Sequence, residues 1–176
     1  MTRAYGFVIL AGIVALVLQT SLFPFLFARR LYPDLILVMV VLLGLFRDPV
    51  HGACMAFLLG GMEDYFTEAG QVKGLFLFSR TLIFILANLL RRRFSVHSPG
   101  AQFTFVLGFS VLDKILIYLL VLWFGAAGAA AVEDWPFRAL ETAVNAALAP
   151  FFFILMSWAP GLFEGEGDRS RSWPST

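Results

Sequence analysis

The chain has 176 residues, of which 60% are hydrophobic and only 14% charged, with a formal net charge of +1. Soluble domains hold nearer 45–50% apolar and about 25% charged residues, so a mean hydropathy of +0.83 excludes a water-soluble fold, and the near-neutral charge gives no case for nucleic-acid binding. Cys54 is the only cysteine, which excludes an intramolecular disulfide and a cysteine-based metal cluster. Its small neighbours Ala53, Met55 and Ala56 point to a core side chain.

Repeated long apolar stretches without strand-like alternation read as an all-α integral membrane protein, a compact six-helix transmembrane bundle. The first segment runs from about Ala4 to Phe23, stops at Pro24 and is too long for a signal core. Leu35 to Phe46 and Val50 to Met62 form a hairpin of short second and third segments. A span takes about 20 residues at a rise of about 1.5 Å, so these two are tilted, lie in thinned bilayer or form a re-entrant pair. Four crossings plus such a pair is the alternative to six. Leu75 to Leu90, Phe103 to Phe124 and Phe137 to Trp158 complete the set. Residues 1–163 then form the transmembrane domain and 164–176 a polar, disordered tail.

Basic residues at span ends set the orientation. The cluster Arg91, Arg92 and Arg93 marks the cytoplasmic side, together with Arg3, Arg47, Arg169 and Arg171. Both termini are then cytoplasmic. Trp123 and Trp135 fall at the outer interface and Trp158 at the inner one. The same arginines could meet anionic membrane lipids or a filament.

The hairpin carries Gly52, Ala56, Gly60 and Asp64 at spacing four, one stripe of a helix. Three small residues in such a stripe let another backbone approach closely, within the bundle or in a partner. Polar residues inside apolar segments are costly and therefore informative. Asp34, after Pro33, reads as a helix-entry residue at the positive end of a helix dipole. Asp64 stands at the opposite, unfavourable end and needs a cation, water or a capping role for the next segment, with Lys73 and Arg80 the nearest basic residues. Asp113 should face the bundle while Lys114 snorkels. Glu141 and Asn145 share a face of the sixth segment, and equal depth suggests an Arg80–Glu141 pair. Gln19 bonds another helix, and Pro150 kinks the last segment. Asp64, Arg80, Asp113, Glu141 and Asn145 are thus the expected intramembrane polar network.

Catalytic constellations do not emerge. His51 and His97 have no metal-ligand partners at the right spacing, the serines have no histidine partner, and Gly60-Gly61 lies in an apolar helix rather than in a phosphate loop. No cofactor or metal is expected, and neither is an enzyme.

The order of Leu18-Gln19, Tyr32-Pro33-Asp34-Leu35, the block from Ala56 to Asp64, Gly70 and Gly74, a helix closing on arginines, Leu112-Asp113 and Val144-Asn145 with Pro150 resembles the rod shape-determining protein MreD family over nearly the whole chain. Lys114 beside the fifth-segment acid departs from the family pattern. The resemblance implies a non-enzymatic scaffold of the bacterial cell-elongation complex in the cytoplasmic membrane, supporting sidewall peptidoglycan synthesis. It implies MreC as direct partner, with MreB, RodA and a penicillin-binding transpeptidase in the same complex, and leaves a homodimer open. It further implies a fold similar to the substrate-binding subunit of energy-coupling-factor vitamin transporters. The rival reading is such a transport subunit, whose polar groups would line a small-molecule pocket.

Overall fold

The structure is a computed structural model that describes residues 2–26, 33–66, 73–91, 93, 98–124 and 135–157. The expected polar tail and Arg92 lie outside the described residues. Among those residues all regular secondary structure is helical. Helix α1 spans Thr2–Val17 and continues through a π-helical turn, Leu18–Leu22, into a last α-turn, Phe23–Leu26. The others are α2 (Leu35–Phe46), α3 (Pro49–Phe66), α4 (Leu75–Leu90), α5 (Pro99–Trp123) and α6 (Trp135–Ser157).

Pro24 does not stop the first helix, contrary to expectation. Proline has no N–H to give to the carbonyl four residues back, and the turn before it widens: the Phe23 N–H reaches Leu18 O, five residues back. The Thr20 hydroxyl donates to Leu16 O at 2.7 Å, which occupies one of the carbonyls at the start of the wide turn.

The short helix α2 is the centre of the bundle. Every residue from Leu35 to Leu45 is buried, and α2 touches all the other helices. A helix that is apolar all round belongs in an interior. Because its neighbours shield it, twelve residues suffice where a lipid-facing span would need more. It starts at Asp34, whose Oδ1 accepts the Leu37 N–H at 2.8 Å. Its other end is held by Asn88, which donates to Gly44 O at 3.1 Å and Arg47 O at 2.9 Å, and by Arg91 Nη1, 2.7 Å from Arg47 O. These bonds make α2 and α4 parallel neighbours.

Helix α3 is longer than its apolar run, 18 residues instead of a short arm. Proline is tolerated in its first turn, and at its far end Glu63 and Asp64 find partners that let the helix continue. It packs closely against α4, with Gly60 under Leu77 and Gly52 under Phe84. Cys54 is exposed, which corrects its assignment to the core: it lies off the face formed by Gly52, Met55, Ala56, Leu59, Gly60 and Glu63.

Helices α5 and α6 pack on each other at the side of the bundle. Pro99–Trp123 and Arg138–Leu155 are long and apolar enough to cross a membrane. The last helix continues through Pro150, with Ala146 and Ala149 fully buried. Leu10, Val14, Leu119, Leu122, Phe151 and Ile154 are exposed around the bundle, a surface that suits lipid rather than water.

Candidate functional site

Arg80, in the first turns of α4, is completely buried, at 0% exposure. Three carboxylates from three other places in the fold converge on it. Nε donates to Glu63 Oε2 at 2.8 Å and Nη2 to Glu63 Oε1 at 3.0 Å, a two-bond grip along one edge of the guanidinium. Nη1 donates to Asp113 Oδ1 at 2.7 Å, and Nη2 also reaches Asp34 Oδ2 at 2.5 Å. The Phe76 ring covers the guanidinium carbon at 5.2 Å from the ring centroid. A planar, permanently charged fork with five donors is the side chain that can serve several carboxylates at once.

A second ring of contacts completes the cluster. The Ser79 hydroxyl donates to Asp113 Oδ1 at 2.5 Å. The Asp34 N–H donates to Asn145 Oδ1 at 2.8 Å. Gln19, in the π-turn of α1, brings Nε2 to 3.5 Å from Glu63 Oε1. Each helix thus sends a polar side chain to one centre: Gln19 from α1, Asp34 from the start of α2, Glu63 from α3, Arg80 from α4, Asp113 from α5 and Asn145 from α6. At about 1.5 Å per residue, Glu63 lies about 21 Å along α3 from Pro49 and Arg80 about 16 Å along α4 from Arg91. The centre is therefore nearer the end of the bundle opposite Arg47 and Arg91.

Of the expected network, the structure brings together Arg80, Asp113 and Asn145. Asp64 points elsewhere: its Oδ1 accepts the Phe76 N–H at 3.1 Å and its Oδ2 the Leu77 N–H at 2.8 Å, so it caps α4 from the preceding helix. That is the capping role, and it satisfies two of the donors a helix start leaves free. The Arg80–Glu141 pair is not formed. Glu141 Oε2 is instead 3.4 Å from Lys114 Nζ, between α6 and α5, and Arg80 is saturated by nearer acids.

Glu63 was not anticipated, and Asp34 only as a helix-entry residue. The signal for Glu63 was present: it stands four residues after Leu59 and three after Gly60, on the buried face, whereas Asp64 extends the small-residue stripe to its edge. Asp34 performs both tasks, one oxygen capping α2 and the other on Arg80.

The stripe Gly52, Ala56, Gly60 is occupied within the bundle. A Cβ at Gly60 would stand 2.8 Å from both Leu77 Cα and Phe76 O, and Ala56 is fully buried. At the other end Arg91 is engaged with Arg47 O and Arg93 is exposed. His51 lies 2.5 Å from Asp48 in the first turn of α3. Among the described residues no group of His, Cys, Asp and Glu could hold a metal ion.

Such a cluster is suited to fixing geometry. Charge-assisted bonds of Arg to carboxylates are short, directional and roughly twice as strong as neutral ones, and in a low-dielectric interior a charge that loses its partner is heavily penalised. Comparison with curated proteins and with solved structures found no match. The sequence pattern of the rod shape-determining protein MreD matches residues 1–158, which takes in all six helices, and the chain belongs to that family of membrane proteins concerned with rod shape.

Proposed function

We propose that the chain is a non-enzymatic membrane scaffold of the bacterial cell-elongation complex. It binds MreC directly and, with it, MreB, RodA and a penicillin-binding transpeptidase, in support of sidewall peptidoglycan synthesis. The family match over residues 1–158 carries this reading. The distribution of charges supports it: Asp64 caps α4, Glu141 meets Lys114, and the acids around Arg80 are spent on holding helices together. The exposed hydrophobic side chains, among them Leu10, Val14, Leu119 and Ile154, form helix surface suited to lipid and to partner helices.

The proposed topology is multi-pass in the cytoplasmic membrane with both termini inside. Arg47, Arg91 and Arg93 share one end of the bundle, which favours that end as cytoplasmic. At the opposite end Phe25, Tyr65 and Trp123 are exposed at 85%, 81% and 86%, as aromatic side chains at an outer interface are.

Mild-detergent co-purification from native membranes, with recovered proteins identified by mass spectrometry, tests the reading. Recovery of MreC with the elongation synthases is the expected result. Recovery of a coupling subunit with two ATPases would replace the scaffold with a transporter's substrate-binding subunit.

A further inference from the structure

Helices α5 and α6 run in opposite directions. Asn145 meets Asp34 and Phe153 meets Phe46, so α6 runs alongside α2 in the same sense. Only residues 94–97 separate Arg93 from Ser98, so α5 enters from the Arg91 end and reaches the centre at Asp113. Lys114 and Glu141, 3.4 Å apart, fix the register between the two helices. One turn back along α5 is Ser110, and one turn on along α6 is Asn145, which sets these two side chains at one level on facing sides. Ser110 also stands one turn before Asp113, so all three residues share the same stretch of the seam.

Ser110, Asp113 and Asn145 are each 0% exposed. Each also keeps a buried polar atom without a partner among the described residues: Ser110 Oγ, Asp113 Oδ2 and Asn145 Nδ2. The bonds made by the other atoms assign their chemistry. Asn145 Oδ1 accepts the Asp34 N–H at 2.8 Å, so the amide atom still to be bonded is its NH2, a donor. Asp113 Oδ1 takes both Ser79 and Arg80, at 2.5 and 2.7 Å, which leaves Oδ2 as the oxygen still to be bonded. The Ser110 hydroxyl serves as donor or acceptor. Buried polar groups left bare are costly.

We propose that the seam between α5 and α6 is a binding site for one water molecule, held by Asn145 Nδ2, Asp113 Oδ2 and Ser110 Oγ. The water accepts from Asn145, donates to Asp113 and exchanges a hydrogen bond with the Ser110 hydroxyl. About three such bonds are the usual complement of an internal water. None of the three atoms bonds another directly, and a water bridges polar atoms that stand too far apart for a direct bond. The occupant has to accept as well as donate, which no apolar group does. A metal cation would face the Asn145 NH2, and an anion would face the acids gathered on Arg80. With the water in place, a closed ring runs from Asn145 through Asp34, Arg80 and Asp113 back to Asn145, tying α6 to the centre from two sides. The inference goes beyond the scaffold reading and does not depend on it.

Water-edited solid-state NMR of the full chain in liposomes tests this by following magnetisation passed from water to protein nitrogens. The expected result is transfer to Asn145 Nδ2 well above that to the amides of Val40 and Val41, which are fully buried in the apolar centre of α2. Transfer to Asn145 no greater than to those valines would overturn the proposal. A crystal structure from a lipidic phase, at a resolution that shows ordered water, supplies the position. The expected peak lies about 2.7–3.2 Å from both Asn145 Nδ2 and Asp113 Oδ2. A peak bonded to carboxylate oxygens with the Asn145 NH2 turned away would mark a cation, and a direct bond between Asn145 and Asp113 would close the site. Either result overturns the proposal, and both measurements use the wild-type chain, so no variant has to fold.

Discussion

Arg80 holds Glu63 side-on, Nε to Oε2 at 2.8 Å and Nη2 to Oε1 at 3.0 Å, while its remaining donors serve Asp113 and Asp34. A lysine keeps the charge but presents a single ammonium, which cannot reproduce the fork or reach all three acids. Arg80→Lys should therefore destabilise the bundle almost as much as Arg80→Ala. Breaking a buried ionic contact of this kind costs about 3–5 kcal/mol. Detergent-induced unfolding followed by circular dichroism measures it, and a wild-type midpoint for Arg80→Lys would show that charge alone matters at this position.

Glycine positions in the bundle divide by what a side chain would meet. At Gly60 the obstacles are backbone, Leu77 Cα and Phe76 O at 2.8 Å, and these cannot swing aside. At Gly108, on the outer face of α5, nothing lies within 4 Å. Gly60→Ala should push α3 from α4 and cost about 1–3 kcal/mol, as overpacking does. Gly108→Ala should be neutral or stabilise by up to about 1 kcal/mol, because alanine is the better helix former. The two unfolding midpoints should move in opposite directions or differ by the full cost at Gly60.

Asp64 caps a helix that begins eleven residues after it in sequence. Losing the side chain removes acceptors from the Phe76 and Leu77 N–H groups, so Asp64→Ala should cost about 1 kcal/mol, with Asp64→Asn retaining most of the stability because asparagine also caps well. Hydrogen exchange gives the local readout. The amides of Phe76 and Leu77 should lose protection in Asp64→Ala, while those at the far end of α4 near Ala87 stay as they were.

The helices were legible in the sequence where charge ends an apolar run. Leu35–Phe46 and Leu75–Leu90 have the boundaries expected, each closing on an arginine. Arg80 and Asp113 were conspicuous for the same reason, as charges inside such runs. Glu63 and Asp34 escaped because they stand at the ends of runs, where an interfacial residue needs no further explanation. The Arg80–Glu141 pairing failed on rotation: sequence supplies depth along a span, but not which side of the helix faces which neighbour. Cys54 failed similarly, since small neighbours in sequence do not make a position part of the buried face. The central placement of α2 had its sign in a run that is apolar on every side, although its shortness pointed equally to a re-entrant segment.

Among the described residues Lys114 and Glu141 form the other interhelical ion pair, at 3.4 Å with side chains 24% and 11% exposed. Unlike Arg80, Lys114 makes one long contact at the edge of the bundle, and its stem can carry the ammonium elsewhere. A double-mutant cycle of Lys114→Met and Glu141→Gln should give a coupling of about 0.5–1 kcal/mol, the range of modest interhelical polar contacts. The parallel cycle of Arg80→Met and Glu141→Gln should be additive to within about 0.5 kcal/mol, because Arg80 bonds Asp34, Glu63 and Asp113 while Glu141 meets Lys114. Unfolding of the four chains in each cycle supplies the numbers. A coupling between Arg80 and Glu141 as large as that between Lys114 and Glu141 would mean that Glu141 belongs to the central cluster, and the separation of the two ionic sites would have to be abandoned.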